Sequence, residues 1–362
     1  MDVSLDGGHL ALAKYDAVTI DDQIPGDPET TRLIQGFKHQ IEQRILAELG
    51  LGFDQVVAHT NYDLEIDTRE SNLGNLIADS IRWYINRSDS DPADPRTQVQ
   101  VAFISNGVIR DPIARGRTGA IAVSDVFRAI PLGIGFDEPE TMGYALVSFY
   151  IYPAELKKAF EILTSIYPLK GDDYFLQFSG ARVVYNPHRM LFDRVTHIET
   201  GNEEDGYTPL DYSASNKTLL RVAADIYNAT FLKIVGNFTW HILDIVPKDR
   251  NGNPIEDLKS VRVDADPQTT GIQELKEWQG VMAYVRSCAD TSGDGLPDIP
   301  AKYRDKLDRN VIAASWNPYH LLKGGTKVTW IAFSAIIVVL LLGMLVLRLI
   351  LKKLFRKTQQ PR

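Results

Sequence analysis

The sequence predicts a mixed-sheet α/β (α+β) domain, in which strands and helices alternate without strict βαβ periodicity, followed by one C-terminal transmembrane helix. Three observations carry that reading. The chain has 362 residues, 44% apolar and 24% charged, the balance of a folded protein with room for a large core. Short apolar runs such as VQVAFIS at 99–105 stand beside stretches with helical spacing. Finally, VTWIAFSAIIVVLLLGMLVL (328–347) holds 20 residues without a charge, and a helix of that length spans roughly 30 Å of hydrocarbon.

The elements follow in order. Residues 10–20 alternate as a strand does, and DDQIPGDPE after them is rich in turn formers. From Pro28 to Gly50 the apolar residues Leu33, Phe37, Ile41, Ile45 and Leu49 recur every four positions, which predicts one amphipathic helix stopped by Gly50. A strand is expected at Gln55–Val57, then a helix with Leu73, Leu76, Ile77, Ile81 and Tyr84 on one face. The unbroken 99–105 run fits a buried strand. Ser124 is placed to cap a short helix through Ile130, stopped by Pro131. A strand at 143–151 leads to a helix opened by Pro153, with Leu156, Phe160 and Leu163 inward. Further strands are expected at 174–179, 181–185, 218–225 and 259–264, and a last helix near 272–287.

Charge divides the chain. From Lys323 onward there are eight Lys/Arg and no Asp/Glu, which leaves 31 basic against 47 acidic side chains in the remainder. So acidic a body does not track nucleic-acid phosphates by general electrostatics. Arg348, Lys352, Lys353, Arg356 and Lys357 follow the apolar helix, against Lys323 and Lys327 before it. The positive-inside rule then puts the basic tail in the cytoplasm and the acidic body outside, anchored in a lipid bilayer. MDVSLDGGHLALAKYD has neither the basic start nor the apolar run of an export signal. This orientation therefore expects a portion upstream; the alternative is a body that stays inside on a tail anchor. Cys288, alone, forms no internal bridge. Asn86, Asn216, Asn228 and Asn237 head glycosylation sequons at about the frequency chance gives.

Several stretches, in order, carry a family resemblance. They are Arg69-Glu70-Ser71-Asn72-Leu73-Gly74-Asn75-Leu76 with Asp79 one turn on, Ile104-Ser105-Asn106-Gly107-Val108-Ile109-Arg110-Asp111, Asp125-Val126, Pro131-Leu132-Gly133, and Phe178-Ser179-Gly180-Ala181-Arg182-Val183-Val184-Tyr185. Between about Asp54 and Asn237 the chain resembles the C-terminal domain of the 5′-nucleotidase family, periplasmic or cell-surface enzymes that dephosphorylate nucleotides. The resemblance implies that Arg69 and Arg110 grip a phosphate or sugar through their planar guanidinium forks. Asn72, Ser105, Asn106 and Gly107 are the other candidates for substrate binding. It implies a nucleotide or other phosphorylated small molecule as ligand. It also implies a two-metal hydrolytic centre in a metallophosphoesterase domain, supplied upstream in cis or in trans. On the residues alone, Arg69 pairing with Glu70 or Asp79, and Asn72 and Asn75 capping the chain, read equally well.

There are departures. The family sandwiches a base between two aromatic rings; Leu132 replaces one, and the Gly-Gly-Asp-Gly motif that carries the other is absent, with Phe238 and Trp240 as candidate substitutes for one face. Val108 stands where glycine is usual. No D-x-H, G-N-H-D/E or G-H-x-H ligand pattern occurs, and the seven histidines are scattered singly. Separately, Asp290, Ser292, Asp294, Leu296 (through its carbonyl) and Asp298 follow the front half of a calcium loop, without the acidic residue that should close it, so calcium and a plain acidic turn stay open together.

The organisation expected is thus 1–27 as the tail of a preceding domain, 28–53 a helical connector, 54–287 the 5′-nucleotidase C-terminal-like domain, 288–327 the calcium-loop candidate and a linker, 328–347 the transmembrane helix and 348–362 a cytoplasmic tail. The function expected is the substrate-binding part of a membrane-anchored, extracytoplasmic phosphohydrolase; the alternative is a tethered, non-catalytic binding or structural module of the same fold.

Overall fold

The computed structural model describes residues 2–19, 24–136, 142–266 and 268–358; Ile20, the turn residues 21–23 and the tail residues 359–362 lie outside them. The chain separates into two units, Met1–Phe53 and Asp54–Arg362.

In the first unit β1 (Asp2–Asp6) and β2 (His9–Lys14) form an antiparallel hairpin. Helix α1 (Pro28–Ile41) starts where the Asp27 carboxylate accepts the Thr30 N–H, with Pro28 in the first turn where its missing N–H costs nothing. The helix runs on through a π turn (Glu42–Leu46) and a 3₁₀ turn (Ala47–Leu49) before Gly50 stops it in the left-handed region, φ 63°.

The second unit is built on two four-stranded sheets. The first has the order β6 (Leu146–Ile151), β11 (Leu220–Asp225), β4 (Val99–Ser105), β7 (Leu176–Ser179). Its two central strands, β4 and β11, run parallel, and an antiparallel strand flanks each side. The second has the order β10 (Gly206–Pro209), β9 (Val195–Asn202), β8 (Ala181–Tyr185), β12 (Asn310–Ile312), with β12 parallel to β8. A short antiparallel pair, β3 (Val56–His59) and β5 (Ala120–Ala122), lies apart from these. The chain passes from the first large sheet to the second through Gly180 at φ 83°, where an added Cβ would sit 1.8 Å from the Gln100 carbonyl oxygen, so only glycine fits.

Helix α2 (Asn72–Ser88) buries Leu73, Leu76, Ile77, Ile81 and Ile85, the face its spacing predicts, while Tyr84 stays half-exposed. Helix α3 (Val123–Ala129) is capped differently from the expectation: Ser124 lies inside its first turn, and the Asp125 carboxylate accepts the Ala122 N–H. Helix α4 (Pro153–Glu161) continues through a π turn (Ile162–Ile166) into α5 (Tyr167–Lys170). Phe160 of α4 packs edge-on to Phe178 and tilted to Phe103, with ring centres 4.9 and 5.6 Å apart. Each such buried side chain contributes about 1.5–3 kcal/mol over its exposed state. Helices α6 (Ile226–Phe238) and α7 (Glu277–Ser287) follow.

Two expectations need correction. Residues 258–261 form a 3₁₀ turn, and two isolated bridges, Arg262 to Val147 and Asp264 to Glu274, are what remains of the strand expected at 259–264. Residues 288–312 are no linker: Tyr303 and Arg309 are buried, and β12 completes a sheet. After the short α8 (Pro318–Leu322) comes α9 (Lys327–Thr358), whose residues 327–352 are long and apolar enough to cross a membrane and, apart from the buried Thr329 in the first turn, are largely exposed.

Candidate functional site

The parallel strands β4 and β11 end side by side at Ser105 and Asp225. Ligands of open α/β sheets bind in the crevice beyond such carboxyl ends. The loops that leave here are stitched together by Gln177 of β7, whose Nε2 donates to the Arg69 carbonyl (2.8 Å) and to Asn106 Oδ1 (2.7 Å). Asn106 Nδ2 in turn donates to the Asp67 carbonyl at 2.9 Å. Gly74 is required for this arrangement, since a Cβ there would lie 2.3 Å from the Gln177 side chain.

The six predicted binding residues separate into two groups. Asn72 is fully engaged: its Oδ1 accepts the Glu65 and Leu73 N–H groups and its Nδ2 donates to the Asp63 and Tyr303 carbonyls. Asn106 is tied into the loops as described, and Gly107 donates to the Asp173 carbonyl, against whose backbone it packs. These three build the site's walls. Arg69, Arg110 and Ser105 are less engaged. Arg69 is exposed and donates from Nε to the Tyr167 hydroxyl at 3.3 Å. Arg110, also exposed, donates from Nη1 to the Gly107 carbonyl at 3.3 Å. Among the described residues no carboxylate pairs with either, although Asp111 and Asp125 nearby both pair with Arg128. The alternative in which Arg69 pairs with Glu70 or Asp79 is thereby replaced: those carboxylates turn inward to other partners.

Ser105 Oγ is buried without a hydrogen-bond partner and faces a cavity of about 80 Å³ that it shares with Asp173, Tyr174, Tyr227, Asn228 and Phe231. Tyr174 and Phe231 meet with ring centres 5.4 Å apart. Tyr227 stacks on Tyr144 at 5.6 Å and 22°, and Tyr144 lies against Gly133 of the Pro131-Leu132-Gly133 turn. Aromatic surface is therefore present, though not at the two positions where the family motifs carry it. Trp240 is 82% exposed and does not line this cavity, and the Phe238 side chain lies outside the described residues. The signal available in sequence was the i, i+4 pair Tyr227 and Phe231 directly after a buried strand. Beneath the rings, burial pushes the Asp225 carboxyl up to about 6 against the hydrogen bonds it accepts from Asn228. Burial and then the charge of Asp225 push Glu277 well above the usual carboxylate range.

The 290–298 loop closes on itself. Asp290 accepts the Gly293 and Gly295 N–H groups, Asp298 accepts from Thr291 and Ser292, and Asp294 meets His59 Nδ1 at 2.5 Å. Ser292 contacts Asp290, and the Leu296 N–H is held by Asp294. The Pro297 carbonyl also accepts the His59 N–H, and the Ile299 N–H donates to the His59 carbonyl of β3. Among the described residues no group of three or more His, Cys, Asp or Glu side chains is placed to hold a metal ion. Because Asp290, Asp294 and Asp298 already meet hydrogen-bond partners within the loop and at His59, exchanging EGTA for excess calcium is expected to shift the Tm by less than about 1 °C. A rise of several degrees that Asp290→Asn abolishes would put the ion in the loop.

Residues 56–218 match the sequence model of the family described as 5′-nucleotidase, C-terminal domain. Over that stretch the chain is similar to 5′-nucleotidase C-terminal domains. The chain is 27% identical over 217 residues to a 5′-nucleotidase of Bos taurus and 27% identical over 195 residues to one of Mus musculus. These alignments cover 59% and 54% of this chain but 35% and 31% of the relatives, so the chain spans about a third of their length. Among solved structures, a 5′-nucleotidase precursor from Thermus thermophilus superposes with a TM-score of 0.50 at 23% identity, covering 86% of this chain and 48% of that one. That likeness speaks for the fold, and that fold supplies the frame for the crevice at β4 and β11.

Proposed function

We propose that this chain is the substrate-binding part of a membrane-anchored, extracytoplasmic 5′-nucleotidase-like phosphohydrolase, with hydrolysis carried out by a metallophosphoesterase domain in cis or in trans. The observation that carries the reading is the pair of exposed guanidiniums without acidic partners, Arg69 and Arg110, on two loops stitched together beside the orphaned Ser105 hydroxyl. A guanidinium fork with no carboxylate to satisfy it is suited to phosphate oxygens, and the rings of Tyr174, Tyr227 and Phe231 are suited to a base. Membrane anchoring is supported by α9 and its basic end, and the outside placement of the acidic body by the positive-inside rule.

The test uses the full chain in detergent with adenosine monophosphate as probe. Calorimetry is expected to show binding, and a phosphate assay with manganese is expected to show no release until a metallophosphoesterase domain is supplied. Phosphate release by the chain itself would overturn the division of labour. Failure to bind any nucleoside monophosphate would instead support the non-catalytic module.

A further inference from the structure

Where α9 leaves the domain, a cavity of about 800 Å³ opens, and Thr326 with the first helix residues Lys327 and Val328 forms part of its wall. This is ten times the volume beside Ser105 and falls within the roughly 300–1,000 Å³ of small-molecule and cofactor sites. Apolar side chains dominate the lining, among them Phe192, Leu210, Ile242 and Leu243. Polar groups gather at the helix end. Thr326 Oγ1 is buried without a hydrogen-bond partner. Lys327 is exposed and has no acidic partner among the described residues. Lys158, elsewhere on the lining, donates from Nζ to the Asp244 carbonyl beside Leu243.

The cavity is held in fixed relation to the helix. Asp193, fully buried, accepts the Thr326 N–H at 2.7 Å and the Thr329 hydroxyl, while Lys157 and Arg189 neutralise its charge. Arg189 also donates to the His320 and Lys323 carbonyls, and Trp316 stacks on His188 with ring centres 3.9 Å apart. The start of α9 is thus clamped to the domain, and whatever apolar phase receives the helix meets the mouth of the cavity.

We infer that this cavity binds one phospholipid of the bilayer, its acyl chain against Phe192, Leu210, Ile242 and Leu243 and its phosphate oxygens at Thr326 Oγ1 and Lys327. The inference rests on the reading of α9 as a membrane anchor. Three features select a phospholipid: an apolar wall continuous with the base of an apolar helix, an orphaned buried hydroxyl, and an exposed ammonium without an acidic partner among the described residues at the polar end.

The test places the full chain in nanodiscs of phosphatidylcholine and phosphatidylglycerol with a trace of phosphatidylglycerol carrying a diazirine on its acyl tail. Photolysis and peptide mapping are expected to find label on residues 192–214 and 242–243 as well as on 328–347. Ala214→Trp and Ala154→Trp, each filling the cavity from its wall, are expected to lower the domain label by about tenfold, equivalent to about 1.4 kcal/mol of lost affinity, with the helix label unchanged. Label confined to 328–347, or domain label that neither variant lowers, overturns the lipid site while leaving the anchor in place. Absence of label on 328–347 overturns the anchor itself.

Discussion

Arg309→Met is expected to lower the unfolding free energy by about 3–5 kcal/mol, the cost of leaving buried carboxylates without their cation. The guanidinium is 1% exposed and donates to Glu203 through Nε and Nη2, both at 2.8 Å, to Asp79 at 2.8 Å, and to the Phe178 carbonyl. Asp79 also accepts from Ser179 and Tyr303, so one arginine joins α2, both large sheets and the segment that ends in β12. Methionine fills similar volume, which isolates the loss of charge from the loss of packing. Urea titration checks the size of the effect, and Arg309→Met combined with Asp79→Asn should recover part of it; a loss below about 1 kcal/mol would show that water reaches the cluster. The effect has a pH signature. Burial alone would raise the Glu203 carboxyl, but Arg309 brings it down to about 2, below its value in the unfolded chain. The unfolded state therefore binds more protons in that interval, so the pair's contribution is complete above about pH 5 and is lost as pH falls towards about 2. Acid unfolding of Arg309→Met should lack that limb.

The same cluster explains what the sequence could and could not disclose. The apolar pattern located α2 by its helical spacing, β4 by an unbroken run that is buried on both faces, and β8 by alternation. It missed β9, whose buried positions Val195 and Ile198 are three apart, and β12, a three-residue strand whose place depends on hydrogen bonds to residues far away in sequence. Those bonds come from the Arg69–Leu76 motif. Glu70 accepts the Arg309 and Asn310 N–H groups, and Asn75 Oδ1 accepts that of Leu307. Ser71 caps α2, and Gly74 makes room for Gln177. The motif that points most specifically to a family is thus largely scaffold that fastens residues 303–310 to α2, and a motif string alone does not separate scaffold from ligand contacts. The aromatic rings escaped notice for the opposite reason: Tyr144, Tyr174, Tyr227 and Phe231 come from three separate chain segments, and only the fold brings them to the ends of β4 and β11.

Arg69→Ala and Arg110→Ala are each expected to weaken adenosine monophosphate binding by about 10–100-fold, the worth of roughly 1.5–3 kcal/mol for hydrogen bonds to a charged group, with the Tm unchanged. Each side chain makes one long hydrogen bond, to Tyr167 or to the Gly107 carbonyl, and no ion pair among the described residues, so the folded protein loses little when it is removed. Asn72→Ala reverses the pattern. Its amide satisfies two N–H groups and two carbonyls in a buried setting, and removing it should cost about 1–3 kcal/mol of stability. Calorimetry and thermal unfolding on the three variants give a crossed result that a general loosening of the crevice cannot imitate. Arg69→Lys sharpens it: an ammonium keeps the charge but not the fork, so affinity should recover only in part if the guanidinium binds a phosphate through two parallel bonds. Full recovery would reduce Arg69 to a point charge, and a fall in Tm for the arginine variants as large as for Asn72→Ala would return both arginines to the scaffold.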